Sequence, residues 1–322
     1  MKRRTFIAAL GSALAMPVVA RAQQTMPTVG FLHSGVQTAP HNGFRAGLND
    51  VGFVEGRNVT IEWRYAAGEY NRLPAIAADL VRRPVDVISA SGGVHTALAA
   101  KGATATVPIV FAVGSDPVKF GLVASFNRPG GNVTGVSFFT AELEAKRLGL
   151  LKGLVPQAIS IGAIINPTNA NAANQVKELT DAARTLKVPL HVVNASNERE
   201  IEAAFPILVQ QRAAALIVAS DPYLFSRSRQ LVGLAAHHSL PAIYEWREFV
   251  DVGGLMSYGT NLTNAYRQAG LYTGRILRGE KPADIPVMRT TQFEFVLNLK
   301  TANALGLAVP NAMQLLADEV IE

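Results

Sequence analysis

From Thr28 onward, short apolar runs alternate with stretches whose apolar positions recur at helical spacing. The pattern predicts strands at Thr28–Leu32, Val59–Trp63, Val85–Ser89, Val107–Ala112 and Val133–Ser137. Between them it predicts helices at His41–Val51, Tyr70–Arg82 and Val94–Ala103. Strands separated by helices of roughly 10 to 15 residues indicate βαβ units, hence a parallel sheet covered on both faces. The pattern then starts over. Helices at Glu142–Leu154, Asn171–Leu186, Glu198–Gln211 and Tyr223–His238 alternate with strands at Ile159–Ile165, Leu190–Val193, Ala214–Ala219 and Ala242–Tyr244. Left over are Leu255–Tyr258, the helix Asn264–Leu277, the strand Phe293–Leu299 and the helix Thr301–Leu305. The expected fold is therefore α/β, with two Rossmann-like lobes that the leftover segments complete. Residues 23–139 plus 254–288 form one lobe, and residues 140–253 plus 289–322 the other. Several crossings between lobes make a hinge rather than a tether.

The 322 residues carry 30 basic and 24 acidic side chains. Four of the bases (Lys2, Arg3, Arg4, Arg21) lie in the first 22 positions, which hold no acid. The remainder, 26 basic against 24 acidic, is nearly neutral, which argues against a broad nucleic-acid surface. Lys2-Arg3-Arg4, an apolar run from Phe6 to Val19 and Ala20-Arg21-Ala22 describe a secretory signal cleaved after Ala22. Arg3-Arg4-Thr5-Phe6-Ile7 also resembles a twin-arginine export motif, and both export routes stay open. The expected location is the periplasm. No cysteine is present, which excludes disulfides, thiolate metal sites and cysteine nucleophiles. None of the six histidines falls in a metal-ligand spacing, and P-loop, G-x-G-x-x-G and G-x-S-x-G motifs are lacking. Neither a cofactor nor a metal is expected.

In open parallel sheets, ligands bind beyond the carboxyl ends of the strands. Here those ends are polar: His33-Ser34-Gly35, Ser89-Ala90-Ser91-Gly92-Gly93, Gly114-Ser115-Asp116-Pro117, Asn166-Pro167-Thr168-Asn169, Ser220-Asp221-Pro222-Tyr223 and Tyr244-Glu245-Trp246-Arg247. Ser34, Ser91, Gly92 and Gly93 would hold a carboxylate at a helix N-terminus; Ser91 reads equally as a helix cap. Asp116 and Asp221 would pair with an ammonium or hydroxyl, or open turns before their prolines. Asn166 joins this polar rim. Tyr223, Tyr244, Trp246 and Tyr258 would wall a flat ligand. Arg247 would clamp a carboxylate, or pair on the surface with Glu245 or Glu248.

Five stretches resemble the ABC transporter substrate-binding protein family that includes tryptophan- and tyrosine-type binding proteins of bacteria. They are Gly114–Val118, Arg128–Gly135, Gly253–Gly259, Ile276–Val287 and Asn298–Leu307. The resemblance implies a type I periplasmic binding fold, a three-strand hinge and a small-molecule ligand closed between the lobes. It also implies delivery to an inner-membrane permease and its ATPase, and ligands leaning toward aromatic amino acids. Many Gram-positive relatives are lipoproteins, whereas this chain lacks the lipid-bearing cysteine. A monomeric binding protein rather than an enzyme is expected. The alternatives are an exported hydrolase using cleft Asp and His residues, or a sensor subunit of a membrane signalling system.

Overall fold

The computed structural model describes residues 26–139, 143–290 and 292–322. The expected export segment lies outside these residues. The first lobe runs β1 (Thr28–His33), α1 (His41–Asp50), β2 (Thr60–Tyr65), α2 (Leu73–Arg82), β3 (Val87–Ser91), α3 (Val94–Ala103), β4 (Ile109–Val113) and β5 (Val133–Ser137). The second runs α4 (Glu144–Leu154), β6 (Ile161–Ile165), α5 (Ala172–Thr185), β7 (Leu190–Asn194), α6 (Glu198–Gln210) and β8 (Ala215–Val218). It continues through α7 (Pro222–Ser226), α8 (Ser228–His237), β9 (Ala242–Tyr244), α9 (Arg247–Asp251) and β10 (Met256–Thr260). The chain then returns to the first lobe for α10 (Leu262–Leu277) and β11 (Met288–Arg289). It ends in the second with β12 (Phe293–Asn298), α11 (Leu299–Ala304), α12 (Asn311–Leu316) and β13 (Glu319–Ile321).

The first sheet has the order β11-β5-β4-β3-β1-β2 and is parallel throughout. The second has the order β13-β12-β10-β9-β8-β6-β7, in which only the β10–β12 pair is antiparallel. Central strands such as β4 (Ile-Val-Phe-Ala-Val) and β6 (Ile-Gly-Ala-Ile-Ile) are buried at every position. That is why they read as continuous apolar runs rather than alternating ones.

The fold is the α/β architecture with two Rossmann-like lobes that the periodicity indicates. Two details differ from expectation. Leu255–Tyr258, expected with the first lobe, is part of β10 in the second sheet, where Leu255 and Met256 join the second-lobe core. The helix expected over Tyr223–His238 is two helices meeting at Arg227, whose backbone leaves helical geometry at φ −105°, ψ 19°.

Three segments link the lobes: after β5, between β10 and α10, and between β11 and β12. They are tied to one another, since the Thr260 hydroxyl donates to the Phe138 carbonyl at 2.8 Å and the Thr290 N–H to the Ser137 carbonyl at 3.0 Å. Helix α10 is fixed to the first lobe by direct backbone contact with α1. A Cβ placed on Gly47 would lie 1.9 Å from the Arg267 carbonyl oxygen, and one on Gly270 2.2 Å from that of Phe44. Only glycine permits that approach. One apolar cluster runs from Phe31, Phe44 and Tyr266 of the first lobe to Phe225, Trp246 and Phe249 of the second. The lobes are thus packed against each other.

Candidate functional site

Six strand-end loops converge between the lobes on a cavity of about 50 Å³. The first lobe contributes Gly93 after β3, Gly114 and Ser115 after β4, and Phe138 after β5. The second contributes Asn169 and Asn171 after β6, Ser220, Asp221 and Pro222 after β8, and Glu245 and Trp246 after β9. Such a volume holds a water or two. A larger groove of about 680 Å³ lies further along the seam, between Val36–Pro40 and the helices around Arg227 and Glu248. It is open to solvent and is lined by the loop after β1 and by residues of α6 to α9.

On the first-lobe side, Gly92 and Gly93 have φ of +84° and +103°, and a Cβ on Gly92 would lie 2.7 Å from His33 Nε2. The Ser34 hydroxyl donates to the Gly92 carbonyl, which pins this turn. Gly93 is the N-cap of α3 and offers no side-chain cap, so the first N–H groups of the helix remain available. The Ser91 hydroxyl is buried with no hydrogen-bond partner among the described residues. His33 lies beneath this turn, its Nδ1 accepting from the Gly35 N–H and its Nε2 bonded to the Tyr266 hydroxyl. Burial, reinforced by neighbouring His41, holds its imidazole well below the usual histidine range.

On the second-lobe side, Asp221 caps α7 and is 1% exposed. Its Oδ1 accepts from Asn166 Nδ2 at 3.0 Å and the Leu224 N–H at 2.9 Å. Its Oδ2 accepts from Asn169 Nδ2 at 2.8 Å and, across the cleft, from the Tyr70 hydroxyl at 2.7 Å. Glu245 is 2% exposed and accepts from the Asp221 N–H at 3.3 Å through Oε1. Its Oε2 meets no partner among the described residues, nor does Trp246 Nε1. Burial pushes the Glu245 carboxyl well above the usual range, only partly offset by Ser220 and Arg147. Behind these groups, buried Arg147 pairs with Glu144 at 2.9 Å and donates to Ser220 Oγ and the Tyr258 carbonyl.

Of the residues singled out in the sequence, Gly93, Asp221 and Trp246 line the cavity. Ser34, Ser91 and Gly92 form the layer beneath Gly93, and Asn166 holds Asp221. Tyr223 packs against Gly68 of the opposite lobe. Tyr244 is turned away, stacked on Phe249 at 4.5 Å and lining a separate cavity beside α8. Tyr258 stands beside Lys146 and Phe293. The Asp116 carboxylate accepts from the Val118 and Lys119 N–H groups of its own turn. Arg247 pairs with Glu319, Asp251 and Glu294 rather than with Glu245 or Glu248. Sequence reasoning missed Tyr70, which begins a helical pattern like any other aromatic, and Phe138, which directly follows a strand. It also read Glu245 only as a partner for Arg247.

Known proteins share this architecture. A crystal structure from Vibrio cholerae O1 biovar El Tor superposes with a TM-score of 0.82 at 26% identity, over 92% of this chain and 100% of that one. The ABC domain from Streptococcus pneumoniae in complex with L-Trp superposes at 0.81 with 25% identity, again over 92% and 100%. A ligand-free, open substrate-binding protein from Clostridium difficile gives 0.62 at 28% identity, over 88% and 96%. In sequence, the chain is 31% identical over 280 residues to a tyrosine-binding protein of Clostridioides difficile (strain R20291), covering 86% of this chain and 80% of that protein. The family model for ABC transporter substrate binding proteins matches residues 29–321. With nearly all of the described chain accounted for by that match, the protein belongs to the ABC transporter substrate-binding protein family.

Proposed function

We propose that this protein is the solute-capturing component of an ABC import system, taking an amino acid with an aromatic side chain into the interlobe cleft. The observation that carries this reading is the convergence of six strand ends on a buried seam whose polar groups are not all partnered among the described residues. The free N–H groups of α3 suit a carboxylate, and Trp246 offers a ring face at the second-lobe wall. Of the relatives, the one from Clostridioides difficile is named a tyrosine-binding protein and the one from Streptococcus pneumoniae was solved in complex with L-Trp, which favours the same ligand class. The residues proposed to contact the ligand are Gly93, Ser115, Asn171, Glu245 and Trp246, with Ser34, Ser91 and Asn166 supporting them.

A binder suits these groups better than a hydrolase. His33 is engaged by Gly35 and Tyr266, Asp116 by its own turn and Asp221 by four donors, so no acid–base pair is assembled among them. Export through the N-terminal signal, a periplasmic location, a monomeric state and delivery to a membrane permease and ATPase complete the proposal. Among the described residues, no helix is long and apolar enough to cross a membrane.

Thermal-shift screening of the mature protein against amino acids, aromatic acids, sugars and purines tests the reading. L-tyrosine or L-tryptophan should raise the midpoint with a saturable dependence, and calorimetry should then give one site per chain. At a ligand concentration of about 100 times Kd the gain is roughly 2.7 kcal/mol. A response confined to sugars or purines overturns the proposal.

A further inference from the structure

Among the described residues, the buried Asp, Glu, Lys and Arg side chains are Glu144, Arg147, Asp221 and Glu245, and all four lie behind or in the cleft wall of the second lobe. Three are acids and one is a base. Arg147 is committed to Glu144, Ser220 and the Tyr258 carbonyl. Asp221 is saturated, with two donors on each oxygen. Glu245 alone of the three acids lines the cavity with an oxygen that has no donor among the described residues. Beside it, the Trp246 N–H is equally unpartnered. Glu245 accepts from the Asp221 N–H through Oε1 and is partly offset by Ser220 and Arg147, but a buried carboxyl whose second oxygen meets no donor is costly to keep charged, and a cation supplied from outside lowers that cost.

We propose that Glu245, and not Asp221, receives a cationic nitrogen of the ligand and restricts the cleft to ligands that carry one. The inference rests on the cleft being the ligand site and adds the chemical group the ligand must bear. Asp221 holds the α7 cap and the Tyr70 bridge, so it cannot take up an ammonium without giving up a donor it already has. The Glu245 Oε2 atom has a lone pair to offer at once. A charge-assisted bond of this kind in a dry site corresponds to a loss of roughly 10- to 100-fold when removed.

Calorimetric titration of the full mature chain tests this with L-tyrosine, tyramine and 3-(4-hydroxyphenyl)propionate, and with the corresponding tryptophan series. The wild type should bind the amine-bearing compounds and lose at least 10-fold toward the des-amino acids. Glu245→Gln should weaken the amine-bearing compounds by about 10- to 100-fold and collapse the preference for them. Its thermal midpoint should be no lower than that of the wild type, because a neutral amide replaces a buried acid. Tight binding of the des-amino acids by the wild type overturns the assignment alone, as does a Glu245→Gln variant that keeps the full preference. If every member of both series fails to bind, the aromatic amino acid reading and this inference fall together.

Discussion

Replacing Arg147 by methionine isolates what the buried charge cluster contributes. The guanidinium is 0% exposed, and its contacts include Glu144 Oε1 at 2.9 Å, Glu144 Oε2 at 3.3 Å, Ser220 Oγ at 2.9 Å and the Tyr258 carbonyl at 3.1 Å. Methionine fills most of the volume but leaves Glu144, also 0% exposed, as an uncompensated charge among two further acids. Breaking a buried pair from one side costs about 3–5 kcal/mol. With an unfolding entropy of about 2.1 cal/mol/K per residue over roughly 300 residues, the midpoint should fall by about 5–8 °C. Scanning calorimetry of the mature protein at pH 7 measures this directly. The double variant Arg147→Met/Glu144→Leu removes the orphaned charge and should recover most of the loss, because apolar replacement of a whole buried pair is often neutral. A single variant within 1 °C of wild type, or a double variant no better than the single, would refute the view that Glu144 depends on this guanidinium.

Gly47→Ala should destabilise by about 1–3 kcal/mol, because its Cβ has nowhere to go against the Arg267 carbonyl of α10. Gly149→Ala on α4, where a Cβ meets nothing within 4 Å, should be neutral or stabilising by up to about 1 kcal/mol; equal urea midpoints for the two variants would contradict the helix-contact argument. For pH, burial holds His41 at about 4 against an unperturbed 6.5. A depressed histidine means that the unfolded chain binds the proton first. The stability it supports is therefore complete above pH 6.5 and is lost as pH falls toward 4, by about 3 kcal/mol from this group. Unfolding midpoints from pH 7 to pH 4 should show that slope added to the one from neighbouring His33, whose imidazole is also held low, and His41→Gln should remove the His41 share and leave the rest.

How much of this was legible beforehand depends on how far each feature is written in local pattern. Strands buried on both faces announce themselves as nearly unbroken apolar runs, which is why β4, β6 and β8 stand where the periodicity puts them. The topological rule then places the site at the strand ends before any coordinate is known. Side-chain roles within that rim are a different matter. Glu144 and Arg147 sit three apart at the start of a helix, the spacing of countless solvent-exposed pairs. Only the docking of α4 beneath β8 and β10 turns them into a buried pair. Glu245 lies in Tyr-Glu-Trp-Arg, where an acid and a base side by side suggest a surface pair, yet the backbone turn after β9 sends Arg247 outward to Glu319 and Glu245 inward. Likewise Tyr244 and Trp246, two positions apart at a strand end, part company, one stacking on Phe249 and the other lining the cleft. Asp221 drew attention as a charged group at a strand end, but its function in the fold depends on Asn166, Asn169 and Tyr70, which lie 52 to 151 residues away in sequence except through the rim itself.

The size of the cavity bears on how a ligand enters. A space of about 50 Å³ is several-fold smaller than the 300 Å³ or more of typical small-molecule pockets. The lobes are held shut by the protein's own groups: Tyr70 to Asp221 at 2.7 Å, His95 to the Thr168 carbonyl at 3.0 Å, and Lys119 to Asn174 at 3.2 Å. Each such bond exchanges with water on opening and nets only about 1 kcal/mol. Three of them, with the apolar packing beside them, are what the lobes would give up on opening. A ligand shifts that balance only by what it gains in the closed cleft beyond what it gains in the open one. Asp221 bridges the lobes through Tyr70, whereas under the proposal the unpartnered Glu245 oxygen and Trp246 N–H would gain a partner only from the ligand. In the proposed reading, Asp221 closes the jaw and Glu245, at the adjacent strand end, rewards an occupant, and that division of labour would let binding rather than closure alone carry the free-energy difference.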